Sequence, residues 1–485
     1  MTRRLPVDPA PGPLEGYATR FDDLFATLAQ RRAFRRYLEG LLLPVERNKT
    51  LTALANTEPV LGAQRKEAQG LQWFLSESSW DLQEVNRRRV GLMLEDPKIA
   101  PTGSGALVID ETGDRKDGKM TAHVGKQYLG GIGKIDNGVV SVSSLWVDER
   151  AYYPLEVEPY TPAHHFEGGK VDPEFRTKPQ IALELVERAV KMGIPFRAVV
   201  GDILYGEHRK FKEGLENKGT PYVLALKPSH AWWHPVEEVG WVEGVALASY
   251  WGGAEDPGEW VKLERHFRDG HAEVWWALEA ECRAFGPEKR RRLVVATTDP
   301  ATLPSLTSWY LVTNLPAPGS KRAEHSDLAE ADLAEADLAE ADLAEVVRLY
   351  ALRNWIEQSY KQVKNSLGWA HYQVRKDIAM RRHWQLVCCA FAFCWWESSD
   401  LLEDETSPGV VLQEKTAKKT ATPAAETQEA GEGGKKERRS TQALMPLVAA
   451  RTAEGKGMAG TIRNAHALLE GVLGSAPASG AKGAA

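Results

Sequence analysis

Between Gly105 and Leu226 the predicted elements run strand-strand-strand-helix-strand-helix-strand, the order of an α/β layer fold with a mixed sheet. Two of those strands deliver an aspartate, Asp110 and Asp202, at their ends. A helical segment precedes this core, and a tryptophan-rich β stretch interrupts it before helical texture returns. These observations divide the 485 residues into five parts. They are a helical N-terminal DNA-binding or dimerisation region (1–100), the first part of an α/β core (101–227), a β-rich insertion (228–318), a helical completion of the core (319–400) and a low-complexity, mostly disordered tail (401–485).

In the N-terminal region, Phe21–Leu43 and Leu71–Val90 carry apolar residues at helical spacing. Among them lie Arg31, Arg32, Arg35, Arg36 and Arg87–Arg89, which read as a solvated basic face or as a DNA-contacting one. Ala106–Ile109 is a short apolar run ending in Asp110 and followed by the turn-rich ETGDRKDGK, hence a buried strand. Val124–Gly131 and Val139–Val147 predict two further strands, with Asn137-Gly138 between them as a hairpin signal. Pro179–Met192 predicts a helix that opens on proline and stops at Gly193. Phe196–Gly201 is then a strand delivering Asp202, followed by a short helix (Glu207–Asn217) and a strand (Tyr222–Leu226). In the insertion, strands are expected at Glu273–Leu278, Arg292–Thr297 and Trp309–Leu315. Helices follow over Val346–Leu367 and Asp377–Trp396.

The formal charge of −6 places no partner by itself. Its distribution is more telling. From Asp327 to Glu345 the unit DLAEA repeats with eight acids and no base, and without it the remainder sums to −6 + 8 = +2. The next segment, Val346–Trp384, holds eight Lys/Arg against two acids, a stripe that suits a polyanion. Five residues advance a helix by about 140° per copy, so the repeat keeps no single packing face. The longest apolar run, the 13 residues Trp384–Trp396, is too short for a membrane span and reads as a buried helix. The N-terminus has no apolar leader segment, from which a cytoplasmic location is expected. Cys282, Cys388, Cys389 and Cys394 have neither disulfide-scaffold nor zinc-knuckle spacing, and the last three read as helix packing.

The chemistry gathers on three carboxylates. Asp110 and Asp202 lie where ligands bind in open α/β sheets, at the C-terminal ends of strands. Carboxylate oxygens so placed suit a hard cation such as Mg²⁺. Either aspartate alone could equally cap a turn. Tyr350, Arg353, Glu357 and Lys364 follow at spacings of 3, 4 and 7. On one helix they fall near 0°, −60°, −20° and −40°, at about 100° per residue. A stripe that would ordinarily be Leu or Val instead holds an acid, two cations and a phenol, a set suited to phosphodiester chemistry.

That spacing matches the Tyr-Arg-Glu-Lys signature of the DDE transposases of bacterial insertion sequences. The surrounding RNWIEQSYKQVKNSLGW, the later RRHWQLVCCAFAFCWW, DETGDRKDGK and VGKQYLGGIGK after Asp110, and GDILYGEHRKF and YVLALKP around Asp202 resemble the same branch, over roughly residues 20–400. The resemblance implies an RNase H-like core with Asp110, Asp202 and Glu357 as a metal-binding catalytic triad for two Mg²⁺ ions, with Mn²⁺ as a substitute. It also implies DNA contacts from Tyr350, Arg353 and Lys364. The gap of 155 between Asp202 and Glu357 agrees with the insertion domain of this branch.

The implied reaction is cut-and-paste transposition: hydrolysis at the element end, then attack of the freed 3′-OH on DNA. The implied partners are double-stranded DNA, as terminal inverted repeats and as target, and a second copy of the chain on that DNA, with no membrane. Trp232, Trp233, Trp275 and Trp276 are candidates for stacking an extruded base, weighed against the commoner core role of tryptophan. His164, His165 and His208 read as loop residues. The alternatives are a catalytically inactive repressor or domesticated relative that binds DNA ends, and a nuclease without strand transfer.

Overall fold

The N-terminal third folds on amphipathic helices whose ends are locally specified. In this computed structural model, residues 5–44, 47–233, 241–243, 250–266, 271–283, 290–319 and 339–404 are described. The acidic repeat up to residue 338 and the tail from 405 onward lie outside them. The helices are α1 (Pro13–Thr19), α2 (Leu28–Leu42), α3 (Leu51–Leu54), α4 (Lys66–Ser76) and α5 (Leu82–Glu95). Thr27 and Gln30 form a reciprocal capping box at the start of α2, and Asp81 caps α5 through Gln83 and Glu84.

The arginines of these helices divide: Arg32 and Arg87 stay exposed and Arg36 and Arg88 partly so, while three turn inward. Arg31, Arg35 and Arg89 are buried. Arg35 is clamped by Glu15 and Asp22, both at 2.7 Å. Arg89 donates to the carbonyls of Pro154 and Leu155, each at 2.7 Å, and to Asn86 at 2.6 Å. Their long stems pack with the core while the guanidinium finds fixed acceptors, which periodicity alone cannot reveal.

The sheet begins with β1 (Ala106–Arg115), β2 (Gly125–Leu129), β3 (Lys134–Val147) and β4 (Tyr152–Tyr160). Helix α6 (Lys178–Lys191) then crosses over to β5 (Ala198–Gly201). A single turn α7 (Ile203–Gly206) and α8 (Arg209–Glu216) lead to β6 (Tyr222–Ala225). Spatially β4 lies against β3, and β3 against β1, both antiparallel. From β1 onward β5 and β6 are parallel.

Three expectations shift here. The turn-rich ETGDR is strand, since β3 supplies Glu111 to Arg115 with partners from Val142 to Gly138. The shorter Phe196–Gly201 prediction loses its first two residues to the loop. Asn137-Gly138 is not a hairpin turn: both residues are paired within β3, opposite Lys126 and Gly125. The reversal instead falls at Gly130–Gly133, where Gly133 takes φ 65°, a left-handed conformation that glycine adopts without strain. Three glycines within four positions outcompete one Asn-Gly.

The next strands are β7 (Ala231–Trp233), β8 (Trp241–Glu243), β9 (Val261–His266), β10 (Ala272–Arg283), β11 (Arg290–Thr297) and β12 (Ser308–Thr313). They do not stand apart from the core. Strand β12 pairs with β6, so one sheet runs β2-β3-β1-β5-β6-β12-β11-β10-β7-β8, with β4 on β3 and β9 on β10. The seam is locked by a buried bidentate pair, Arg291 to Glu216 at 2.6 and 2.9 Å. The side chains of Trp232 and Trp233 lie outside the described residues.

The chain ends its described part with α9 (Leu343–Ala351), α10 (Asn354–Asn365) and α11 (Asp377–Asp404). Between Leu386 and Phe393 helix α11 is apolar and buried on every side, as a core helix must be. It packs against α1, α2, α4, α5 and β4. Cys388, Cys389 and Cys394 are buried and free in it, and burial pushes the Cys389 thiol up to about 12. Tyr37 donates to Nδ1 of buried His383 at 2.8 Å, whose Nε2 donates to the carbonyls of Gly368 and Trp369. Among the described residues no helix is long and apolar enough to cross a membrane.

Arg89→Ala should remove a buried guanidinium and orphan the Pro154 and Leu155 carbonyls. Urea denaturation is expected to show a loss of roughly 3 kcal/mol or more, whereas Arg87→Ala, on the exposed side, should change little.

Candidate active site

Strand β1 and strand β5 are paired in parallel from Ala106–Ala198 to Ile109–Gly201. The next residue on each is an acid: Asp202 lies just past the end of β5, as expected, whereas Asp110 lies midway along β1, which runs on to Arg115, so the two stand side by side but only Asp202 is at a strand end. Asp110 is buried, and its Oδ1 accepts the Glu111 backbone N–H at 2.8 Å. Asp202 caps α7, accepting from Leu204 N at 3.0 Å. The turn after it is held flat on the sheet by Gly206, where a Cβ would stand 1.8 Å from the Ala225 carbonyl oxygen. Only glycine fits there.

Glu357 comes from the far end of the chain, in the first turn of α10. The expected single helix over 346–367 is in fact two, α9 and α10, joined at Leu352-Arg353. The joint is tightened by i→i+3 hydrogen bonds: Arg353 N to Tyr350 O at 3.0 Å and Ile356 N to Arg353 O at 3.1 Å. Such turns advance about 120° per residue instead of 100°, which re-aims the side chains across the joint. Helical periodicity therefore brought Tyr350, Arg353 and Glu357 to one region, but a straight helix does not describe how.

Arg353 stands between the carboxylates. Its Nη2 lies 3.2 Å from Asp110 Oδ2 and its Nη1 3.0 Å from Glu357 Oε1. The ion pair expected at i,i+4 is present, and it has a second arm across the sheet. Among the described residues no three His, Cys, Asp or Glu side chains are close enough together to hold a metal ion. In this arrangement the guanidinium, a fixed positive charge, bridges two members of the triad. The donor set itself, carboxylates from β1, from the end of β5 and from α10, has the oxygen chemistry of a site for hard divalent cations.

Electrostatics follow from that crowding. Burial pushes the Asp110 carboxyl up to about 7; Arg353 opposes the rise, and Asp202 and Glu111 add to it. Burial raises Asp202 too, again opposed by Arg353. Burial by itself would lower Arg353, yet Asp110, Tyr350 and Glu357 around it hold it firmly protonated. Burial pushes the Tyr350 phenol up to about 12, so it remains a hydrogen-bond donor at neutral pH. Its ring meets Trp309 edge-on at 5.0 Å. Lys364 reaches Asp114 at 2.7 Å and the Gly113 carbonyl at 3.1 Å, on the extension of β1 beyond Asp110.

Several residues here escaped the sequence. Tyr360 donates to the Asp110 carbonyl at 3.1 Å, with Ser143 Oγ 2.6 Å from the same hydroxyl. Tyr360 sits three residues after Glu357, on the same helical face, and that spacing was the available signal. Glu111 is held by Lys178 at 2.9 Å and by the Tyr205 hydroxyl at 3.1 Å, tying α6 and α7 to β1. Nothing in local sequence joins those three. Of the tryptophan candidates, Trp275 is buried against Trp309 at 4.3 Å and Trp276 packs on Trp251 at 4.7 Å, which are core roles. His208 caps α8 through Phe211, while His164 and His165 lie in a short 3₁₀ turn, as loop residues do.

The Asp110 shift has a consequence for stability. Its folded value, about 7, lies above its ordinary value of 3.8, so between these the folded chain holds a proton that the unfolded chain releases. Stability contributed by this group therefore falls as pH rises through that window. Asp110→Asn should melt higher than the parent at pH 8 and show no advantage near pH 4, as read by thermal melts across the range.

Comparison with known proteins agrees with this geometry. A family profile described as DDE superfamily endonuclease matches residues 20–274, a span that contains Asp110 and Asp202 and ends before Glu357. A protein of Microchaete diplosiphon named as a probable transposase for insertion sequence element IS701 is 30% identical over 378 residues, covering 77% of this chain and 85% of that protein. With more than half of its length matched by the profile, and Asp110 and Asp202 inside that match, the chain belongs to the DDE superfamily endonucleases.

Proposed function

We propose that this chain is an insertion-sequence transposase that cuts and joins DNA by metal-dependent phosphodiester chemistry. The observation that carries the reading is that Arg353 bridges Asp110 and Glu357, while the β1–β5 register sets Asp202 beside Asp110, from three segments that lie far apart in sequence. The order β4-β3-β1-β5-β6, three antiparallel strands followed by two parallel ones, supports an RNase H-like core over 101–227. That core would be extended by the insertion of 228–318 and completed by the helices of 319–400. The similarity to a probable transposase supports the same reading.

Asp110, Asp202 and Glu357 would hold divalent cations, two Mg²⁺ or Mn²⁺. Bound there, they would supply Lewis-acid activation of the attacking oxygen and charge stabilisation of the leaving one. The chain's own groups do the positioning. Arg353 presents a forked guanidinium, now shared between Asp110 and Glu357, that is suited to phosphate oxygens. Tyr350, protonated at neutral pH, donates to the same backbone. The ammonium of Lys364 has three donors and spends two on Asp114 and Gly113, which leaves one for a phosphate.

Hydrolysis breaks one phosphodiester at the element end and frees a 3′-OH. That hydroxyl then attacks a second phosphodiester, so one P–O bond forms as another breaks. Pairing two ends calls for a second copy of the chain on DNA. The reading also places the protein with its DNA in the cytoplasm, and leaves DNA contact or dimerisation as the role of residues 1–100.

Labelled duplexes carrying the element's terminal repeats, incubated with full-length protein and Mg²⁺, should be nicked at the element boundary and then joined. EDTA should abolish both products, and Glu357→Gln should lower the rate by more than about 100-fold. End binding that persists with no cleavage under any metal condition would instead identify an inactive end-binding repressor.

A further inference from the structure

The ladder between β1 and β5 stops one pair short of the two aspartates. Its last partners are Ile109 and Gly201. Beyond them β1 stays paired with β3 on its other side, through Asp110–Ser143 and Glu111–Val142, while the chain leaving β5 turns into α7. Two carboxyls that repel each other when ionised therefore stand where the β1–β5 pairing no longer sets their separation.

Glu111 reaches across that gap. Its Oε2 accepts the Tyr205 hydroxyl at 3.1 Å and its Oε1 pairs with Lys178 at 2.9 Å. Both ends of the Tyr205 tie are joined to an aspartate. Asp110 Oδ1 accepts the Glu111 backbone N–H at 2.8 Å, and the Asp202 carbonyl accepts the backbone N–H groups of Tyr205 and Gly206 at 3.1 and 2.9 Å. The phenol has little room to swing. Its ring is fully buried, it lies 5.3 Å from that of Phe211, and a Cβ at Gly201 would stand 3.2 Å from the Tyr205 Cβ. Stability alone is a poor reason for this arrangement, because a third acid beside two others costs desolvation that an apolar side chain would avoid.

We propose that the Tyr205–Glu111 hydrogen bond positions Asp110 and Asp202 relative to one another for divalent-cation binding, making Glu111 and Tyr205 positioning residues of the site. The proposal deepens, and rests on, the reading of the two aspartates as cation ligands. Glu111 is a brace and not a further ligand. Successive side chains of a strand point to opposite faces, so it works from the side of β1 away from the Asp110 carboxylate. Both of its oxygens are engaged, and the Lys178 ammonium balances a charge that would otherwise compete for the cation.

The test is Mn²⁺ binding to full-length protein without DNA, read from the electron paramagnetic resonance signal of the free ion. Asp110→Asn/Asp202→Asn identifies the part of the binding that belongs to this site. Tyr205→Phe removes only the hydroxyl and should weaken that binding about 10- to 100-fold, the usual cost of losing an outer partner of a metal ligand. Glu111→Ala should cost at least as much, and Glu111→Ala/Tyr205→Phe no more than Glu111→Ala alone, since either change breaks the same bond. Thr27→Ala, which removes the cap of α2 and lowers the melting temperature from a distance, should bind Mn²⁺ as the parent does, so lost stability is told apart from lost positioning. If Glu111→Ala does not fold, Tyr205→Phe decides. Parental affinity in Tyr205→Phe, or losses that add in the double variant, would overturn the proposal and leave the cation site standing. A parent protein that binds no more Mn²⁺ than Asp110→Asn/Asp202→Asn would remove the cation site and the proposal with it.

Discussion

Carboxylates cannot be crowded into a protein interior without a compensating charge, and much of this architecture is arranged around that requirement. Asp110 within β1 and Asp202 at the end of parallel β5 stand at the same level, and Glu111 follows directly. The charges set against them are Arg353, bridging Asp110 and Glu357, and Lys178, paired with Glu111. Even so, Asp110 remains pushed up to about 7, chiefly by burial. A site left short of positive charge in this way favours the arrival of more of it, whether as a cation or as a repositioned arginine. Arg353 therefore has a definite use in this arrangement: it holds Asp110 and Glu357 together.

The helix carrying Glu357 is braced from behind. Tyr152 of β4 stacks on Trp355 at 4.8 Å and accepts a hydrogen bond from Gln362 at 2.7 Å, both on α10. Its own carbonyl accepts from Trp395 of α11 at 2.7 Å. Helix α11 is in turn enclosed by the N-terminal helices, through contacts such as Tyr17 to Phe393 and Arg382 to the Leu75 and Trp80 carbonyls. Packing energy stored in an apolar interior is thus transmitted to a polar edge, since close-packed side chains leave little room for α10 to shift. The basic N-terminal helices take part in this bracing, with Arg31, Arg35 and Arg89 turned inward to acids and carbonyls.

The insertion is coupled to the site by the same logic. Strand β12 completes the ladder of β6, and Trp309 on β12 meets Tyr350. The guanidinium of Arg265 lies over Trp275 and Trp309, 4.5 and 4.8 Å from their ring centroids. A stack of rings and cation therefore runs from the far side of β10 to the phenol beside the carboxylates. Shared backbone pairing makes the added strands an extension of the catalytic sheet.

What the sequence by itself determined was local or periodic. The apolar runs before Asp110 and Asp202 specify buried strands, the Pro179–Gly193 pattern specifies α6, and the spacing of Tyr350, Arg353 and Glu357 specifies a shared direction. Side-chain periods of two and about 3.6 are consequences of backbone geometry and can be read without a fold. Only the tertiary structure decided the rest. It placed the reversal at Gly130–Gly133, buried Arg89, broke the predicted 346–367 helix at Leu352-Arg353 and joined Glu111 to Lys178 and Tyr205. Each of these depends on a partner tens to hundreds of residues away, or on competition between turns of similar local merit. Burial and pairing are properties of the whole packed molecule, and no window along the chain contains them.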